Sequence, residues 1–343
     1  MLVREARAAA TEWVGEYAAV LPGFRGAFYT GSTLGLAGDV ELAATSDVDI
    51  AVVVAGVAPR KLGKFRYRGA LLEVTYLPWA EVAGAERVAR TYYLAPSFAT
   101  DQTIADPSGH LGRLTRAVAG TFDRPAAVRR RCADVFRRIH NGLSTVDGRS
   151  SWPELVTGWL FPTSLATQVL VVAARRSPTV RLRYLAAREV LAGDGIPLYG
   201  ALLGVLGCTG TGRAAVQRHL DGLAVTFGEA AAVARTPFFF SADITPAARP
   251  VAIDGSQQLI DAGDHREAVF WIIASYARCQ RILDADAPGP VRRRAELRFR
   301  AAVGDLLGLH DVAGVLDRRD QACALWPDLR RAAAAIIDAG AGG

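Results

Sequence analysis

The segment Thr30–Val54, TGSTLGLAGDVELAATSDVDIAVVV, decides how the rest of the chain reads. It opens on Gly31-Ser32, directly after the short strand-like run Ala27–Thr30, and closes on Asp47 and Asp49 running into Ile50–Val54. Residues i and i+2 of a strand share a face. Two carboxylates so placed repel each other unless positive charge lies between them, and a divalent cation meets that need. A third carboxylate from a neighbouring strand would complete such a site. Glu73 is an acid inside the strand-like run ALLEVTYL, Ala70–Leu77, and is the expected partner. The Gly31-Ser32 turn gathers backbone N–H groups and a hydroxyl, a grouping suited to phosphate oxygens.

A Gly-Ser turn, an SDVDI-type Asp-x-Asp and an acid on a later strand, in that order, resemble the DNA polymerase β-like nucleotidyltransferase superfamily. Within it the chain is most similar to the aminoglycoside-type small-molecule nucleotidyltransferases. The resemblance covers roughly the first third of the chain. One departure is the insert LGLAGDVELAAT before Ser46, which is longer than is usual in the family. The resemblance implies an α+β fold, with a small mixed β-sheet flanked by helices over residues 1–118. An all-helical acceptor-binding domain over 119–343 would follow, with the active site in the cleft between the two. It further implies transfer of a nucleoside monophosphate from a nucleoside triphosphate, expected to be ATP, to a hydroxyl of a small-molecule acceptor, releasing pyrophosphate. Asp47, Asp49 and Glu73 would hold two Mg2+ ions, with Glu73 beside the acceptor hydroxyl, while Gly31 and Ser32 would hold the β- and γ-phosphates. Two alternatives stay open. Transfer to a protein or an RNA 3′ end has only scattered arginines behind it, with no RNA-binding motif. A non-catalytic nucleotide sensor of the same fold has no need of three convergent carboxylates.

At 343 residues the chain is long enough for one large domain or two ordinary ones. Its 51% hydrophobic and 22% charged residues exclude a disordered chain. The net charge of +6 favours anionic ligands such as nucleotides but is mild for a dedicated nucleic-acid binder. The only lysines are Lys61 and Lys64. Cys132, Cys208, Cys279 and Cys323 are scattered without metal-ligand spacing, so buried free thiols are expected. The N-terminal stretch carries charges throughout and lacks a signal-peptide core, and no apolar run of membrane-spanning length is expected; the reading is a soluble, cytoplasmic protein.

Around the central segment, Val3–Val20 reads as an amphipathic helix with Ala9, Trp13, Tyr17 and Val20 on one stripe. Thr33–Leu36 opens as a helix. The basic run Pro59–Gly69 is the hairpin before the Glu73 strand, read as a solvated face, with contact to a triphosphate as the alternative. Trp79–Tyr93 is helical, and Thr103–Ala105 is a short strand. Asp106 is structural in the turn that follows, and Ser108 is placed to cap the next helix. Helical patterns then cover Pro125–Asn141, Glu154–Arg175, Val180–Ala192 opened by Ser177-Pro178, Tyr199–Leu206, Ala214–Val233, Glu267–Leu283, Val291–Leu307 and a final pair ending near Asp338. The irregular stretch from Arg235 to Trp271 has two readings of equal standing. Ser241, Asp243, Asp254 and Glu267, interleaved with phenylalanines, line an acceptor pocket, or the stretch is a structural excursion with Asp264 capping the next helix. A cationic acceptor would need the acids of this stretch: Asp243, Asp254, Asp261, Asp264 and Glu267. The terminal AGAGG is expected to be disordered.

Overall fold

Period-two alternation in the first third of the chain resolves into a five-stranded mixed sheet, followed by a largely helical region: an α+β protein. The computed structural model describes residues 1–193 and 195–340, so most of the glycine-rich end falls outside the described residues. The strands are β1 (Phe24–Thr30), β2 (Val48–Val54), β3 (Gly63–Tyr67), β4 (Ala70–Pro78) and β5 (Thr103–Ala105), in the order β3-β4-β2-β1-β5. β2 and β4 run parallel, and the other pairs are antiparallel.

Alternation sorts β2 onto two faces. Val48, Ile50, Val52 and Val54 are buried against Ala6, Ala10 and Trp13 of the helix α1 (Val3–Trp13). Each such aliphatic side chain is worth roughly 1.5–3 kcal/mol relative to exposure. The intervening residues Ala51 and Val53 pack with Phe28, Phe98, Leu111 and Val118 on the opposite face. Three helices cover that face: α2 (Trp79–Val82), α3 (Ala85–Arg90) and α4 (His110–Ala119). Asp47 and Asp49 continue this second row toward the start of β2.

Several expected elements changed shape. α1 gives way to a π turn at Val14–Ala18, whose wider winding rotates the stripe, so Tyr17 and Val20 are exposed. Thr33–Leu36 is not a helix; a single 3₁₀ turn, Gly31–Thr33, ends there. The insert lies along the start of α1, where Val3 and Arg4 donate their otherwise orphan N–H groups to Val40 and Gly38 carbonyls at 2.9 Å. Gly84, in extended backbone, splits the expected Trp79–Tyr93 helix into α2 and α3. Asp106 accepts from the Gly112 N–H at 2.9 Å, and Ser108 Oγ accepts more weakly from the His110 N–H at 3.4 Å, so both side chains serve the start of α4.

The chain divides into two compact units. One comprises Met1–Asp134, Arg175–Thr179 and the chain from Ile337, and the other Val135–Ala174 and Val180–Ile336. The second unit gathers around α11 (His265–Asp286), which packs on α6 (Trp152–Ala173), α9 (Arg213–Val233) and α12 (Gly289–Leu307). α6 corrects the expectation about apolar runs: its 22 residues are long and apolar enough to cross a membrane by length and composition. Most of that helix is buried inside the protein, and it is a core helix. Ser177-Pro178 does not open a helix; α7 begins only at Arg183 and ends at Val190. Part of the irregular stretch is helical, as a π turn at Pro250–Asp254 and α10 at Gly255–Asp261.

Candidate metal centre

One lateral row of the sheet carries the site. Thr30 on β1 stands opposite Asp49 on β2, Asp49 opposite Glu73 on β4, and Glu73 opposite Lys64 on β3. Adjacent strands lie close to 4.8 Å apart, so side chains in one row and on one face must meet. Carboxylate oxygens of Asp47, Asp49 and Glu73 lie within 4.8 Å of one another. Asp47 and Glu73 are each 8% exposed, and Asp49 is half-buried.

Gly31 closes the side toward β1. Its φ of +77° is left-handed, and a Cβ there would lie 2.9 Å from Asp49 Cβ and closer still to the carboxylate. The turn needs glycine for both reasons. From α1, Arg7 donates to the Thr33 carbonyl at 2.8 Å and stacks over the Tyr29 ring, which anchors the same turn. Ser32 is exposed beside it.

Positive charge comes from β3. Lys64 Nζ lies 2.6 Å from Asp47 Oδ2 and also pairs with Glu73 Oε2, while Lys61 pairs with Glu73 Oε1. The Lys64 side chain is only 9% exposed. Trp13 holds Phe65 at a ring distance of 5.4 Å on the α1 side of the sheet, which turns Lys64 to the acid side. Burial alone would push all three acids up. For Glu73 the two ammonium groups outweigh it and hold the carboxyl far below its usual range. Asp49, buried and facing the charges of Asp47 and Glu73, is pushed well up, and Asp47 is raised for the same causes with partial relief from Lys64. Burial works against the Lys64 charge, but the three carboxylates overcome it and raise its pKa.

The donor set fits a hard divalent cation. It is all carboxylate oxygen, it is gathered at one point, and its negative charge exceeds what two lysines neutralise. The acids of the Arg235–Trp271 stretch belong to the second unit and each has an arginine partner: Asp243 with Arg278, Asp254 with Arg249, Asp261 with Arg213, and Asp264 and Glu267 both with Arg188. Ser241 accepts from the Phe238 N–H at 2.8 Å. Asp264 stands at the start of α11, but its carboxylate goes to Arg188 instead of capping the helix.

Sequence reasoning missed the lysines as members of the cluster. The signal was present: Arg68 and Gly69, both at positive φ, form a two-residue hairpin turn, and that turn sets Lys64 opposite Glu73. No family model matches the chain, and no curated protein matches it.

Proposed function

We propose that the protein transfers a nucleoside monophosphate from a nucleoside triphosphate to a hydroxyl of a small-molecule acceptor, releasing pyrophosphate. The observation that carries this reading is the convergence of Asp47, Asp49 and Glu73 on one sheet face, with the Gly31 turn packed against Asp49.

Asp47, Asp49 and Glu73 would hold the divalent cations, Mg2+ being the expected one. Metal ions bound there would screen charge on the attacking and leaving oxygens of an in-line displacement at the α-phosphorus. The chain's own groups have separate tasks. Gly31 and Ser32 offer an N–H and a hydroxyl to the β- and γ-phosphates at the mouth of the β1 turn. Glu73 takes the acceptor's proton on a carboxylate oxygen. While two ammonium groups hold Glu73 ionised, it is a weak proton acceptor, so the lysines must loosen their hold for it to serve. The acids of the second unit are already paired with arginines, which favours a neutral or anionic acceptor over a polycation.

The test is calorimetry with a nonhydrolysable ATP analogue, with and without Mg2+, followed by pyrophosphate release across the four triphosphates and a panel of hydroxyl acceptors. Mg2+-dependent binding with pyrophosphate release is expected. Nucleotide binding indifferent to Mg2+ would refute the proposal.

A further inference from the structure

Both lysines of the chain, set among 40 lysine and arginine residues, end on Glu73, and Lys64 also reaches Asp47. Elsewhere among the described residues the side-chain cation on a carboxylate is arginine, as at Glu267, Asp243 and Glu229, with His219 on Asp305 as an exception. The use of lysine at Glu73 has a chemical meaning. A guanidinium forms a rigid, two-pronged clamp on a carboxylate, whereas an ammonium is a compact point charge on a flexible four-carbon stem. Of the two, the ammonium more closely imitates a metal ion and more readily leaves. β3 is the edge strand of the sheet, paired with β4 alone among the described strands.

We propose that Lys64 is a stand-in cation, which holds the Asp47 and Glu73 carboxylates together in the metal-free protein, yields them to a divalent ion, and then turns to the phosphates of the bound nucleotide. The inference rests on reading this site as a nucleotidyltransferase centre. A poorly exposed ammonium needs an anionic partner wherever it goes. Once its carboxylates are neutralised, the nearest anion arriving at the site is the triphosphate. Lys64 thereby keeps the clustered acids from repelling each other before loading, and it frees Glu73 only once a divalent ion is bound. Lys61, less buried on the other oxygen of Glu73, follows the same course at the rim.

Having only two lysines makes the test clean. Acetylation of the wild-type protein by an amine-specific reagent, read by mass spectrometry, reports Lys64 separately from Lys61 and the amino terminus. Lys64 is expected to react slowly without metal, at least about fivefold faster with saturating Mg2+, and slowly again when a nonhydrolysable ATP analogue is added with Mg2+. Mg2+ binding seen by calorimetry with no change in Lys64 labelling would overturn this inference and leave the proposed function standing. Absence of any Mg2+ binding would overturn both. Labelling that rises with Mg2+ but is not suppressed by the analogue would remove the phosphate-binding half. A second readout is Mn2+ binding followed by electron paramagnetic resonance. Lys64→Met removes the competing cation and should tighten Mn2+ binding by about tenfold. Unchanged or weaker binding contradicts the proposal.

Discussion

Two clusters of buried charge, one in each unit, make opposite use of the same chemistry. In the helical unit Glu267, 1% exposed, takes Arg188 at 2.8 Å and the Tyr199 hydroxyl at 2.6 Å, while the other arm of Arg188 holds Asp264. That network ties α7, α8 (Ile196–Leu206) and the start of α11 together, with the shared arginine bridging both acids. In the sheet unit three acids face two lysines, one shared between two carboxylates. The first cluster is closed by a fork that cannot leave without stranding a buried charge. Both carry one more acid than they have cations, but the second is closed by single-point ammonium groups that can leave. Burial alone does not mark a functional cluster. The difference lies in the counter-ion, a two-pronged arginine in one cluster and flexible lysines in the other.

The comparison can be broken most directly at Asp49. Asp49→Asn should lower nucleotidyl transfer by about a thousandfold or more, near 4 kcal/mol of barrier, and abolish Mg2+ binding while the circular dichroism stays unchanged. Near-normal turnover would show that the sheet cluster is not the catalytic one. The counterpart in the helical unit is Glu267→Ala, expected to cost about 3–5 kcal/mol of unfolding free energy in urea, because Arg188 and Tyr199 lose a shared buried partner. Mg2+ affinity of the folded fraction should not move. A cost under about 1 kcal/mol would erase the distinction between clamp and site.

Gly31→Ala sharpens the contrast by a smaller amount. The left-handed backbone alone should cost about 1–2 kcal/mol, and the added Cβ displaces the Asp49 carboxylate, so both melting temperature and Mg2+ affinity should fall. A variant as stable as the wild type, with intact metal binding, would mean that the turn and Asp49 are not coupled.

The smallest effect is in the pH dependence of the metal-free protein. Asp49 is raised in the folded state, so its contribution to stability is fully present below its unfolded pKa, near 3.8, and fades as pH rises through the folded value. Glu73 is lowered, so its contribution is present above its unfolded value, near 4.5, and is lost as pH falls toward the folded one. Above the ordinary carboxylate range Glu73 therefore contributes a constant, and Asp49 makes the metal-free protein less stable as pH rises. Asp49→Asn should remove that slope and raise the melting temperature of the metal-free protein on the alkaline side. With Mg2+ the slope should reverse, since ionised carboxylates are what the cation binds. Identical pH profiles for wild type and Asp49→Asn would remove the electrostatic account of the cluster.

Much of the sheet unit was legible beforehand because strand alternation is a local property. Asp47 and Asp49 had to share a face, and Val48, Ile50 and Val52 had to share the other. Glu73 stood out as an acid in an apolar strand. The helical unit was legible in outline from apolar periodicity, with errors where one residue interrupts the pattern: Gly84 between α2 and α3, the π turn after Trp13, and the late start of α7. The acids of Arg235–Trp271 remained undecided in sequence because an acid that lines a pocket and an acid that holds an arginine look alike until the arginine is located. Arg188 and Arg278 are far from their partners along the chain.

The chain's own order of residues determined an α+β protein with an acid-bearing strand after a glycine turn, since side-chain direction along a strand and a glycine's backbone freedom are set by neighbouring bonds. Tertiary structure alone decided that β4 lies beside β2 with Glu73 level with Asp49, that β3 delivers Lys64 into the acids, and that the second unit's acids are spent on arginines. Those outcomes depend on which strand or helix comes to lie next to which. That choice is made by burial of whole faces at once, and no short stretch of sequence carries it.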